Sequence, residues 1–211
     1  LKKMLCYLIV AEVGYMVGGA WLGDAEGWGL SGALYHILGD GLMTLTLFLA
    51  AGIFAKRLGA VEIGDLSGLF RKMPLASVGL VVGGLAMIGV PPTCGFFSKF
   101  YLIRGGIESG QWGFVAALLV SSLVNAVLFF RIFEIAHFGK NPPEGHAHHG
   151  EGEGEDEGHG AAAARVAAPA HALVPLLLAA AGVVLLGLFN GPVVAFLRES
   201  LPAAIAAAPA P

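Results

Sequence analysis

One lysine, Lys99, stands inside the apolar stretch 73–104, a few residues after the run Gly89, Pro91, Pro92, Thr93 and Gly95. An ammonium in the bilayer interior is costly, and residues of this kind mark ion pathways and proton relays. The paired prolines add a second cost. Each lacks a backbone donor and clashes with the turn before it, so together they stop a helix. The polar groups they free need partners in protein or water rather than lipid, so a lined cavity is expected at the break. A structural alternative is open for Lys99, whose stem could snorkel to a nearby interface. Other ionisable groups lie in apolar surroundings: Glu12, then His36 and Asp40 with Thr44 at steps of four, which share one helical face. Burial disfavours the charged form of such groups and so moves their proton affinity toward working pH. Buried ionisable neighbours also titrate together, so a change at one shifts the next. Lys99 is therefore expected to be the centre of a relay with Asp40 as its counter-charge, joined by His36 and Glu12. For His36 and Asp40 the alternative is a structural cap or a helix-to-helix hydrogen bond inside the bundle, and Thr44 is read as a backbone or water partner. Glu134 is a further relay candidate, although Arg131 three residues earlier makes a simple intrahelical pair the favoured reading.

The elements that position these residues are membrane spans. About 20 apolar residues cross a bilayer, and five segments qualify: about 4–22, 30–54, the broken stretch 73–104, 112–138 and about 171–189. The fold class is thus all-α, a polytopic membrane helix bundle of about five spans, one of them discontinuous at Gly89–Gly95. The first span carries Gly14 and Gly18 in the spacing that lets helices approach closely. The stretch from Pro192 to Pro211 is Ala-rich and short of a convincing span. Three regions follow: 1–138, the helical part with the relay; 139–170, a His- and Glu-rich loop expected to be disordered; and 171–211, a terminal helix and tail.

The composition excludes a soluble domain: 56% of the 211 residues are hydrophobic and 13% charged, with a mean hydropathy of +0.77. Charge is informative loop by loop. With the amino end in the cytoplasm and one crossing per segment, eight of the twelve Lys and Arg residues fall inside, and Arg104 and Arg198 fall outside. That bias obeys the positive-inside rule. Six acids, Glu144, Glu151, Glu153, Glu155, Asp156 and Glu157, cluster in the cytoplasmic loop beside His146, His148, His149 and His159. These histidines define no closed tetrahedral site, so a solvated linker is favoured and no metal is expected. Cys6 and Cys94 read as small buried hydrophobes. The chain opens on LKKMLCYLIV without a cleavage site, and its first Leu fits a fragment or an unusual start. There is no dinucleotide fingerprint, P-loop or cysteine ligand set; no cofactor, no redox site and no nucleic-acid partner are expected.

The strings KKMLCYLIVAEVGY, GALYHILGDGLMTLTLFLAAGIF, GVPPTCGFFSKFYLI and SSLVNAVLFFRIFE resemble the C-terminal half of the proton-translocating, antiporter-like subunits of respiratory complex I, Mrp-type sodium/proton antiporters and membrane-bound hydrogenases. The likeness covers about residues 2–138. It implies inverted repeats of five helices with discontinuous helices, and a buried charge axis on which Lys99 holds the functional position of the second broken helix. Where the family's second span reads His-x3-His-x3-Lys, this chain has His36, Asp40 and Thr44. The implied function is proton or Na⁺/H⁺ translocation in the cell membrane, as a multi-pass subunit among other membrane subunits, including a chain that supplies the N-terminal repeat. The alternative is a non-pumping structural subunit, or a fragment of a split protein.

Overall fold

The computed structural model describes residues 1–59, 62–138 and 166–206. The helices are α1 (Lys2–Trp21), α2 (Trp28–Leu58), a single 3₁₀ turn at Gly64–Leu66, α3 (Leu69–Lys72), α4 (Pro74–Ile88), α5 (Cys94–Glu108), α6 (Trp112–Phe138), α7 (Ala170–Leu188) and α8 (Asn190–Ala206). Among the described residues, α1, α2, α6 and α7 are each long and apolar enough to cross a membrane, and α4 is a shorter apolar helix. The expected all-helical membrane bundle is observed. The acidic, His-bearing segment of the expected loop lies outside the described residues.

Helix α2 is the hub, packing on α1, α4, α5, α7 and α8. Small residues allow this. A Cβ at Gly105 of α5 would stand 2.4 Å from the Gly29 amide nitrogen, and one at Gly32 would meet the Leu102 nitrogen at 2.9 Å. The α2 and α5 backbones are therefore in direct contact, the arrangement small residues permit between membrane helices. Tyr35, Met43, Leu47, Phe54, Leu80, Met87 and Phe129 fill the core. Apolar side chains also face outward, among them Tyr7, Val10 and Val17 of α1 and Leu123 and Val127 of α6. For a chain in water this would be a liability; in a bilayer it is the lipid or partner face.

The break is built from local chemistry. Pro74 opens α4, where its missing N–H would be unpartnered in any case. At the other end Gly89 turns left-handed at φ 93°. Its N–H donates to Ala86 O and that of Val90 to Leu85 O, the paired bonds of a Schellman stop. A continued helix would have aimed residues 91 and 92 at the carbonyls of Met87 and Ile88, but both are prolines and carry no N–H. Thr93 then leads into α5, with its hydroxyl on Val90 O at 2.7 Å. Gly95 brings α5 against the end of α4: a Cβ there would sit 1.9 Å from Ala86 O.

Helix α7 follows α4 up to this break. Val166 N donates to Lys72 O, Leu176 packs on Gly79, and Gly187 lies against Pro92, Thr93 and Cys94 with no room for a side chain. The fifth span ends near residue 189 as expected, with α7 closing at Leu188. After Phe189 the chain resumes as α8 and reaches Trp28 at the far end of α2, where the Arg198 guanidinium stacks at 3.7 Å. Proline in a first helical turn is compatible with helix, and Pro192 sits there. Asn190 secures the junction by donating to Gly187 O at 2.7 Å and accepting from Tyr101 at 2.6 Å.

Candidate functional site

Three helices meet beside the break and bring three of the expected residues together. Lys99, from the second turn of α5, is 4% exposed; Glu12 of α1 and His36 of α2 are fully buried. The Lys99 ammonium donates to Met87 O at 2.6 Å, the carbonyl that Pro91 leaves without a helical donor. It also lies 3.5 Å from Glu12 Oε1. The other carboxylate oxygen, Glu12 Oε2, is 3.0 Å from His36 Nε2. At that separation the two atoms are within reach of a shared proton, on the imidazole or on the carboxyl. The far ring nitrogen, Nδ1, is 2.9 Å from Ser98 Oγ, itself anchored on Gly95 O. The result is a continuous row, Lys99, Glu12, His36 and Ser98, strung between the broken helix and α2.

Asp40 is placed differently from expectation. It lies one turn along α2 from His36 and is 8% exposed, with the Thr44 hydroxyl donating to Oδ1 at 3.3 Å. Among the described residues the ion pair of Lys99 is made to Glu12, not to Asp40. The shared face of His36 and Asp40 is real, but the α2–α5 register sets His36, rather than Asp40, level with Ser98. Lys99 is buried inside the bundle, so it does not snorkel. Glu134 stands apart from the cluster: it is 2.7 Å from Arg131 on the exposed side of α6, as the intrahelical reading expected.

Several members of the site were not anticipated. Asn125 of α6 points its amide nitrogen at Glu12 Oε1, 3.2 Å away, and at Met87 O, 3.4 Å away. Its one sequence signal was a carboxamide in the middle of an apolar span. Tyr15, a turn after Glu12, places its ring edge-on to His36 and within 5.6 Å of the Lys99 ammonium, while its hydroxyl bonds Ser121. The Met87 carbonyl carries no sequence signal of its own, although a proline four residues on marks it.

An apolar bundle with an interrupted span and a row of ionisable groups buried at the interruption is the architecture of an antiporter-like membrane subunit. The family described as NADH:quinone oxidoreductase/Mrp antiporter, TM, matches residues 1–125, and the chain belongs to it. It is 43% identical over 190 residues to NADH-quinone oxidoreductase subunit N of Desulforudis audaxviator, covering 90% of this chain and 36% of that protein. To NAD(P)H-quinone oxidoreductase subunit 2 of Gloeothece citriformis it is 35% identical over 135 residues, covering 64% of this chain and 26% of the relative. Among solved structures, a chain of the membrane-bound sulfane sulfur reductase, an archaeal respiratory membrane complex, superposes with a TM-score of 0.76 at 28% identity, over 94% of this chain and 37% of that one. A chain of the Mrp complex from Dietzia sp. gives 0.71 at 26% identity, over 90% and 40%. The chain spans well under half the length of these relatives. The two solved structures are of complexes, and the two curated relatives are each named as a subunit.

Proposed function

We propose that this chain is the proton-carrying part of a translocating membrane subunit, in which protons pass among Lys99, Glu12 and His36 at the broken span. The observation that carries this reading is the Glu12 carboxylate, which touches both the ammonium and the imidazole while excluded from solvent. With a proton on Glu12 Oε2, Glu12 can take the Lys99 proton at Oε1 while passing its own to His36 Nε2, leaving a neutral amine and an imidazolium. Asp40, a turn away, is the next acceptor along α2, and the backbone carbonyls freed at the break offer sites for water. The driving force comes from the rest of a redox-driven or antiport assembly in the cell membrane. The missing repeat is supplied by further polypeptide, in the same chain or a separate one, and the amino end and the His/Glu-rich loop face the cytoplasm.

A second reading has one observation in its favour. At position 44, where the family resemblance implies a lysine, a threonine hydroxyl bonds Asp40, which fits a structural subunit that does not pump. Lys99→Ala in the reconstituted assembly separates the two. The relay reading expects proton uptake into vesicles to disappear while the complex still assembles. Uptake at the wild-type rate would leave the structural reading standing.

A further inference from the structure

We propose that Asn125 is a positioning residue that holds Glu12 and the Met87 carbonyl in place while the Lys99 proton is away. This rests on the relay reading above.

The ammonium and the carboxamide bind the same two acceptors. Lys99 Nζ is 2.6 Å from Met87 O and 3.5 Å from Glu12 Oε1; Asn125 Nδ2 is 3.4 Å and 3.2 Å from the same atoms. Both targets are acceptors, so the nitrogen of the amide, with two hydrogens, must be the end facing them. The pair needs a permanent donor for a reason already in the sequence. Pro91 removes the N–H that Met87 O would have had, and among the described residues the Lys99 and Asn125 side chains donate to it instead. Lys99 holds both acceptors strongly only while it is charged and in place, since a neutral amine keeps two hydrogens but is the weaker donor and offers Glu12 no charge. A relay in which lysine surrenders a proton weakens its hold on the carbonyl and the carboxylate at each turnover, and one in which it swings away removes that hold. Asn125 cannot ionise and sits on a different helix from Lys99. It is 1% exposed and continues to donate to both atoms in either state, so the two states come closer in energy and the site keeps its shape between them.

The groups facing these acceptors are Glu12 and Tyr15 from α1, His36 and Asp40 from α2 and Lys99 from α5. Without the amide, the acceptors rely on ammonium alone, and Glu12 loses a donor that favours its ionised form. Both effects hold protons more tightly at the site.

The test runs in vesicles containing the whole assembly, with a pH-sensitive dye, on Lys99→Ala and Asn125→Leu side by side. Expected are silence for the first and, for the second, uptake slower by about tenfold, the size of one hydrogen bond to a charged group. The pH–rate profile of Asn125→Leu should move to higher pH, that of Asn125→Asp should move further, and Asn125→Gln, which keeps an amide, should recover most of the rate. A silent Lys99→Ala with Asn125→Leu matching wild type in rate and profile overturns the proposal and leaves the relay intact. An active Lys99→Ala overturns the relay reading itself. Should Asn125→Leu fail to assemble, Asn125→Ala reads the same displacement. A slower rate with an unmoved profile in either variant marks a merely structural residue and also overturns the proposal.

Discussion

Replacing Glu12 with glutamine is the most direct challenge to the site. The change conserves shape but removes the charge that holds the row together and the atom that can pass a proton from Lys99 to His36. At 3.5 Å and an effective dielectric constant of about 20, the lost attraction to the ammonium is about 5 kcal/mol. Stripping one partner from a buried pair typically costs about 3–5 kcal/mol, and a site so treated neutralises the remaining charge rather than bear it. Lys99 then has no proton to offer. Proton uptake by the reconstituted assembly should fall at least about 100-fold, equivalent to about 2.7 kcal/mol in the barrier, with assembly retained. Glu12→Asp, which shortens the reach by one methylene, should fall between the two. Because the residues act as a pair, Glu12→Gln with Lys99→Gln should be no slower than either single change, the non-additivity expected of contacting groups. Uptake by Glu12→Gln at half the wild-type rate or more, or losses that simply multiply in the double variant, would refute the assignment of Glu12 to the path.

Two further changes probe the frame and the edge of the site. Gly95→Ala places a methyl 1.9 Å from the Ala86 carbonyl, a backbone clash at the upper end of the about 1–3 kcal/mol cost of overpacking or beyond it; the purified assembly should lose thermal stability or yield, measured by melting and by size-exclusion recovery. Asp40→Asn keeps a partner for the Thr44 hydroxyl but removes a charge one turn from His36. Uptake should slow by several-fold, less than for Glu12→Gln, and an effect larger than that of Glu12→Gln would restore Asp40 as the principal counter-charge.

The break and its lysine were legible in the sequence because their signals are local. Two adjacent prolines interrupt a helix wherever they stand, and a lone ammonium in an apolar run is conspicuous. The counter-charge was not legible, since Glu12 and Lys99 are 87 residues apart and their meeting depends on how α1 and α5 each pack on α2. Helical spacing placed Asp40 on the face of His36 and so made it the natural partner for Lys99. The backbone contact permitted by Gly32 and Gly105 fixes a register in which His36 reaches Ser98 instead. Asn125 was hidden for the same reason, because one amide in a long apolar helix does not reveal its target. The resumption of helix at Asn190 was open to reading, since Asn-Gly-Pro can begin a helix as readily as end one.

The outward face of α1 has a consequence for the charges behind it. Tyr7, Val10, Val17 and Trp21 are all at least 67% exposed, while Glu12 on the same helix is not exposed at all. Only the thickness of one helix, about 10 Å, separates the carboxylate from whatever lies beyond. Fields in a medium of low dielectric constant reach that far with little loss, so the neighbour contributes a reaction field to the Glu12–Lys99 pair without touching it. Acyl chains on that face leave the pair bare, whereas a polar or hydrated neighbour polarises in response and steadies separated charge. The electrical environment of the relay is thereby set in part by matter outside the chain, and it changes with that neighbour even when no atom of the site moves.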